Sequence, residues 1–294
     1  MNDLYQMVTD RIIEALELGT PPWICPWRDG TALPSNLATG KPYRGINVLM
    51  LHMASLSCCY PDNRWLTLRQ ANELGGCIKK GEHGTPIVFF KLKEVDDPHA
   101  PDSVETESKR VVPMLRGYTV FNASQVEFLP ERFSLGQQPQ WNAVAAVDTV
   151  LRESGAEIRH GGNRAFYAPG EDFIQIPPTS WFSDADDYYA VALHELTHWT
   201  GHPSRLARTL GRRHGIEPYA FEELVAEMGA AFLCAHCGIP GRVEHAAYID
   251  SWLDALKRDK RLIFTAAGAA QKAMDFALRA ACSIPSPALA AEAA

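Results

Sequence analysis

The stretch His194-Glu195-Leu196-Thr197-His198 constrains this chain more than any other part of its sequence. Apolar residues on both sides predict that it lies within a helix, on which side chains four residues apart share a face. His194 and His198 can therefore direct both imidazoles at one metal ion. Glu195 follows one step round the helix, where a carboxylate reaches a metal-bound water. The pattern predicts two metal ligands and a general base for hydrolysis.

A catalytic zinc site needs a third protein ligand, and the next predicted helix offers three glutamates, Glu222, Glu223 and Glu227. Glu223 and Glu227 are four residues apart and share a face beside small apolar residues. A carboxylate that points into such a surface needs a partner, which a metal ion would provide. We therefore expect one of the three to complete a site for zinc, with manganese as the alternative metal.

The two motifs together resemble the gluzincins, in which a Glu-x-x-x-Asp pattern contributes the third ligand and then a carboxylate that orients a ligating histidine. The resemblance implies that Glu223 is the ligand and Glu227 the orienting group. Glutamate stands here in place of the aspartate, and its longer side chain could itself reach the metal. Zincins also offer an edge strand to which an extended peptide can add, and residues 173–176 are the candidate. The candidates for stabilising an oxyanion are Tyr219, His202 and His214.

Length and composition predict a soluble α+β protein of two domains. The chain has 294 residues, of which 46% are hydrophobic and 21% charged. The N-terminal α+β domain is expected at 1–130, a polar linker at 131–140, and a mainly helical domain with a small antiparallel sheet at 141–284. The alanine- and proline-rich tail, 285–294, is expected to be disordered.

Cysteine usage predicts a cytoplasmic protein with reduced thiols. Seven cysteines are an odd number without regular spacing, and the first residues show no basic and apolar signal segment. We expect Cys234 and Cys237 to be buried thiols rather than a second zinc site, because no other pair lies at suitable spacing. The sequence contains no apolar run long enough to span a membrane, and no membrane partner is expected.

The N-terminal region carries a local excess of positive charge, although the whole chain has a net charge of -7. Between residues 28 and 93, nine lysines and arginines stand against four aspartates and glutamates, with aromatic residues among them. Basic grooves with aromatic stacking surfaces bind single-stranded nucleic acid. Phe89 and Phe90 point to opposite faces of a strand, so at least one should be core. The residues predicted to contact DNA are Trp27, Lys41, Tyr43, Arg44, Trp65, Lys79 and Lys80.

Several motifs resemble the ArdC-type antirestriction proteins, whose N-terminal domain is shared with plasmid TraC-type primases. In the N-terminal half these are Trp23-x-x-Pro26-Trp27, the 36–47 stretch, 65–67 and 75–82, and in the C-terminal half 194–206 and 222–233. The resemblance implies a protein of conjugative plasmids that binds single-stranded DNA and protects incoming DNA from restriction. It also implies a zincin-like metallopeptidase domain, whose protein substrate, for instance a component of the restriction system, is unidentified.

Overall fold

The structure is a computed structural model that describes residues 3–19, 21–23, 33–96, 109–133, 143–208, 218–239 and 248–282. Two α+β halves follow each other along the chain, as predicted. None of the helices in these ranges is both long enough and apolar enough to cross a membrane. The predicted linker is described only as the short helical turn Glu131–Phe133, and the tail 285–294 lies outside the described residues.

The N-terminal half is built on a four-stranded sheet. Its elements are the helices Leu4–Glu17 (α1), Ile46–Cys58 (α2) and Leu68–Glu73 (α3) and the strands Ser35–Asn36 (β1), Arg64–Leu66 (β2), Cys77–Ile78 (β3), Thr85–Asp96 (β4), Lys109–Asn122 (β5) and Val126–Glu127 (β6). The sheet has the strand order β1-β2-β5-β4, and β3 pairs with β6 separately. Pairing of β4 with β5 continues as far as Asp96 and Lys109, so the two strands form a long hairpin.

Strand β4 lies at an edge of this sheet, and helix α2 covers part of that edge. The side chain of Asn47, on α2, accepts a hydrogen bond from the backbone N–H of Val88 at 2.9 Å and donates one to its carbonyl at 2.7 Å. Asn47 is buried, and the amide thus replaces a neighbouring strand at this one residue. This contact fixes α2 and the loop before it against the edge of the sheet.

The C-terminal half is mainly helical, and its small sheet is mixed rather than antiparallel. Its elements are the helices Ala143–Ser154 (α4), Ala185–Thr200 (α5), Pro218–Cys237 (α6), Ile249–Arg258 (α7) and Leu262–Cys282 (α8) and the strands Glu157–His160 (β7), Phe166–Ala168 (β8) and Phe173–Ile176 (β9). The strand order is β7-β9-β8, with β7 parallel to β9. Strand β9 is therefore central and not the predicted edge, and it is the most buried of the three strands.

The two halves share one hydrophobic core. Ile12 on α1 and Leu49 on α2 belong to the same buried cluster as Trp252 on α7 and Ile263 on α8. The Thr9 hydroxyl donates to the carbonyl of Lys260 at 2.8 Å, which ties α1 to the turn before α8. The predicted boundaries thus separate two stretches of sequence, but the helices of each half bury their apolar faces against the other.

Helices α5 and α6 approach each other at Gly229. A Cβ atom at this position would lie 2.4 Å from Cγ2 and 2.8 Å from Oγ1 of Thr197 on α5. The Thr197 hydroxyl donates to the carbonyl of Leu193 at 2.8 Å, so this side chain is held in place. Glycine at 229 therefore sets the distance between the two helices.

We expect Gly229→Ala to lower the free energy of unfolding by about 1–3 kcal/mol, because the added methyl group overlaps Thr197 in a packed interior. Thr197→Ala removes the two closest atoms, so in that background the same substitution should cost much less. Urea unfolding of the four proteins measures the difference. An equal cost of Gly229→Ala in both backgrounds would show that the contact with Thr197 is not the cause.

Candidate metal centre

Helix α5 directs the two histidines that were predicted as metal ligands toward the same place. Asp184 caps the helix by accepting a hydrogen bond from the backbone N–H of Asp187 at 2.9 Å. One turn separates His194 from His198, and their Nε2 atoms lie 3.1 Å apart. Both rings are turned towards α6, and His194 is buried.

Glu223 on α6 meets both histidines. One carboxylate oxygen lies 3.5 Å from Nε2 of His194, and the other lies 3.5 Å from Nε2 of His198. Within the described part of the chain, these three residues form the group whose ligand atoms lie close enough to hold a metal ion, all within 4.8 Å of one another. Two imidazole nitrogens and a buried carboxylate are a donor set that zinc and manganese accept. The residues present therefore fit the predicted metal.

The electrostatics of this cluster favour positive charge. Burial opposes the charge on His198, but hydrogen bonds to Glu222 and Glu223 outweigh it and raise the pKa of this histidine to about 10. Burial likewise disfavours the charge on Glu223, yet hydrogen bonds to His194 and His198 hold its pKa well below the usual range. The carboxylates thus form a negative site at the point where the two Nε2 atoms meet.

A cavity of about 310 Å³ opens onto this cluster, and Glu195 lines it together with both histidines. Two of the three candidates for oxyanion stabilisation, Tyr219 and His202, also line the cavity, whereas His214 lies outside the described residues. Burial, together with the nearby Glu223 carboxylate, raises the pKa of Tyr219, so its hydroxyl stays protonated and can donate a hydrogen bond.

Glu222 contacts the second ring nitrogen of His198. Its carboxylate lies 3.4 Å from Nδ1 of His198, on the side of the ring opposite Glu223. Glu227 is buried but belongs neither to the three-residue cluster nor to the cavity wall. Glu227 lies one turn, about 6 Å, further along α6 than Glu223, and its assignment as the group that orients a histidine stays a prediction.

Arg208 holds Glu222 in place, and sequence reasoning missed this residue. Its guanidinium donates to both carboxylate oxygens of Glu222, the shortest contact being 2.6 Å. It also donates to the carbonyl of Thr197 at 2.6 Å and to the hydroxyl of Thr200 at 2.7 Å. Arg208 thereby joins the last turn of α5 to the start of α6. The sequence indicated this role only by placing an arginine soon after the helix that carries His194 and His198.

The free edge of the small sheet at the cavity is β8. Phe166 and Tyr167 line the cavity, and β8 pairs with β9 on its other side. Arg205 fastens this strand to α5: it donates to the Tyr167 hydroxyl at 3.0 Å and to Asp172 at 2.9 Å, and its guanidinium lies 3.8 Å from the centre of the Trp199 ring. Hydrogen bonding to Arg205 lowers the pKa of Asp172 to about 2.

The two cysteines that were predicted to be buried thiols are buried in the structure. Cys234 and Cys237 are both buried and free, and burial raises the pKa of each thiol.

The residues predicted to contact DNA are divided between surface and core. Lys41, Tyr43 and Arg44 line a second cavity, although Tyr43 is nearly buried. Lys79 and Lys80 lie outside this cavity, and the Lys79 ammonium donates to the carbonyl of Ser124 at 2.7 Å. Trp27 lies outside the described residues.

The burial of the aromatic residues is the opposite of what the sequence predicted. Trp65 is fully buried in a cluster with Tyr43 and Val120, so it cannot serve as a stacking surface. Phe89 and Phe90 are 47% and 54% exposed, although one of them was expected in the core. Strand β4 is an edge strand and continues to Asp96, beyond Val88, where Asn47 of α2 is bound to it.

We expect Glu222→Gln to weaken metal binding about 10- to 100-fold, because the amide orients His198 less strongly and no longer neutralises Arg208. Glu227→Gln, which changes a buried glutamate one turn along the same helix, tests the other assignment and should lose less affinity if Glu222 is the main orienting group. Titration calorimetry with Zn²⁺ and Mn²⁺ measures both, after thermal unfolding confirms that each variant is folded. A larger loss in Glu227→Gln would support the gluzincin assignment.

Two family models match this chain. Residues 2–121 match the N-terminal domain of the anti-restriction factor ArdC, and residues 145–269 match a zincin-like metallopeptidase. The two matches lie in the two halves of the fold and confirm that the chain has two domains of the predicted kinds.

Solved structures and curated relatives agree with these models. The antirestriction protein ArdC from plasmid R388 is similar in its metal-free crystal structure, with 43% identity, a TM-score of 0.82, and coverage of 97% of this chain and 100% of that one. Its Mn(II)-bound structure has 44% identity and a TM-score of 0.78, and the match again covers 97% of this chain and 100% of that one.

The DNA primase TraC of Escherichia coli is 42% identical over 93% of this chain, which spans 27% of the primase. The uncharacterized protein y4eC of Sinorhizobium fredii is 39% identical over 93% of this chain and 91% of its own length. This chain therefore belongs to the ArdC family of antirestriction proteins.

Proposed function

We propose that this protein binds single-stranded DNA with its N-terminal half and hydrolyses a protein substrate at a metal centre in its C-terminal half, and that it thereby protects incoming DNA from restriction in the bacterial cytoplasm. The observation that carries the hydrolytic part is the convergence of His194, His198 and Glu223 beside Glu195 in one cavity. The metal is zinc or manganese, and ArdC of plasmid R388 has a Mn(II)-bound structure.

The residues around the cavity divide the chemistry of peptide hydrolysis among them. A metal held by His194, His198 and Glu223 would polarise the scissile carbonyl and acidify a bound water. Glu195 accepts the proton of the attacking water and passes it to the leaving amine. Tyr219 and His202 line the same cavity, and either could donate a hydrogen bond to the oxyanion.

An extended peptide is the substrate conformation that the site favours. The free edge of β8 borders the cavity, so a peptide could add to it as a further strand. The bond to be cleaved would then lie over the cluster of ligands. Arg205 keeps the strand in this place through Tyr167.

The proposed DNA-binding role is supported by the positive charge of the N-terminal half. Lys41 and Arg44 lie at the cavity beside the sheet, and Lys79 and Lys80 lie in the turn that leads to β4. Clustered lysines and arginines attract the phosphates of a nucleic acid. Similarity to the TraC DNA primases agrees with a role on DNA.

We expect Glu195→Gln to abolish protection in cells while metal binding is retained, because the amide cannot accept the proton of the attacking water. General base catalysis contributes about 100- to 10,000-fold. Transfer of a plasmid into restricting and non-restricting recipients measures protection, and calorimetry measures metal binding. Glu171→Gln, an exposed glutamate outside the cavity, is the control. Full protection by Glu195→Gln with bound metal would exclude proteolysis as the mechanism and favour protection by binding alone.

We expect substitution of Lys41, Arg44, Lys79 and Lys80 by alanine to weaken binding of single-stranded DNA and to lower its salt dependence. Each phosphate contact that is lost should reduce the slope of log K against log salt by about 0.7. Fluorescence anisotropy of a labelled oligothymidylate at several salt concentrations measures both quantities. Two double variants, one of Lys41 and Arg44 and one of Lys79 and Lys80, show how much of the lost affinity comes from the cavity and how much from the turn before β4. Unchanged affinity in the fourfold variant would contradict this interface.

A further inference from the structure

The second cavity, which we call the cleft, is formed by both halves of the protein. It has a volume of about 750 Å³, within the range of pockets that enclose small molecules. One wall consists of the loop 39–45 and the strands β4 and β5. The other wall is helix α8, which contributes Phe264, Gln271, Lys272 and Asp275. A ligand in the cleft would therefore contact the zincin-like half as well as the N-terminal half.

Large aromatic rings line the cleft and remain exposed. Phe89, Phe90 and Tyr118 are 47%, 54% and 44% exposed. The ring of Phe89 lies 5.5 Å from that of Tyr118, and the ring of Phe90 lies 6.4 Å from that of Phe264. Grouped rings that stay in contact with water are typical of binding surfaces rather than of ordinary protein surface. They suit a ligand that has flat apolar faces.

The charges of the cleft are mainly positive. Lys41 and Arg44 lie on the N-terminal wall and Lys272 on the opposite wall, and Asp275 is the single acidic residue among the lining residues. Asp275 forms an ion pair with Arg44 and accepts a hydrogen bond from Gln271, so it is partly neutralised. Cations beside apolar rings match a ligand in which flat bases alternate with phosphates. An apolar peptide would leave these cations without a partner.

We propose that the cleft is a composite site for single-stranded DNA, in which bases stack on Phe89, Phe90 and Tyr118 while Lys272 of the zincin-like half contacts a phosphate opposite Lys41. This proposal rests on the DNA-binding function proposed above and adds that the N-terminal half alone does not form the whole site. Helix α8 also packs against α5, where the rings of Phe276 and Trp199 are 6.1 Å apart. The same helix therefore borders the DNA site and supports the metal centre.

Two variants test the composite site in the full-length protein. Lys272→Glu reverses a charge on α8, and Phe89→Ala removes an exposed ring. Arg152→Glu is the matched control, an exposed arginine on α4 of the same half that lines neither cavity. Anisotropy of a labelled oligothymidylate is measured at several salt concentrations, and thermal unfolding confirms the fold of each variant.

We expect Phe89→Ala to weaken binding about 5- to 150-fold, as the loss of one stacked base predicts. Lys272→Glu should weaken binding and reduce the salt slope by about 0.7, whereas Arg152→Glu should bind like the wild type. If both cleft variants bind like the wild type while Lys41→Ala weakens binding, the composite site is wrong and the DNA-binding function stands. If the wild type does not bind at low salt, both proposals fail. Binding of an uncharged hydrophobic dye in the cleft that the oligonucleotide does not displace would assign the cleft to an apolar partner.

Discussion

The close contact between helices α5 and α6 is the constraint on which the metal centre depends. The two helices meet at Gly229, where there is no room for a Cβ atom beside Thr197. The same pair of helices places Glu223 3.5 Å from the Nε2 atom of each histidine. Carboxylates in an interior of this kind are costly unless they are paired, so the histidines, the arginine behind them and the expected metal stabilise one another. The close packing of α5 against α6 therefore also provides the partners that the buried charges need.

The second constraint is the shared core, which makes two sequence units depend on each other. Helix α8 packs against α5 and α6 on one side and reaches α2 on the other. The backbone N–H of Gly45, before α2, donates to the Gln271 side chain on α8 at 2.9 Å. A ligand in the cleft would act on this helix directly. In the proposed function, DNA binding and hydrolysis are therefore linked by a common structural element.

Sequence patterns predicted the order of the elements well because they are local. The helix that carries His194 and His198, the glutamate-bearing helix after it and the strand at 173–176 all depend on neighbours within a few residues. The position of β9 was predicted wrongly because it depends on distant contacts: β9 is central because it pairs with both β7 and β8, and the residues of a short strand do not show which strands lie beside it. The predicted burial of the aromatic residues was wrong for the same reason. Trp65 and Phe89 have similar surroundings in the sequence, but Trp65 is in the core and Phe89 is on an edge strand.

The sequence by itself determined which chemical groups are available: two histidines on one helical face with a glutamate one step round the helix, a glutamate-rich helix after it, and a basic N-terminal region. Tertiary structure decided which of the three glutamates meets the histidines, which one orients His198, and which aromatic residues remain exposed. The physical reason is that helical periodicity fixes the angle between side chains on one helix, whereas the rotation and depth of one helix against another are set by packing across the whole core.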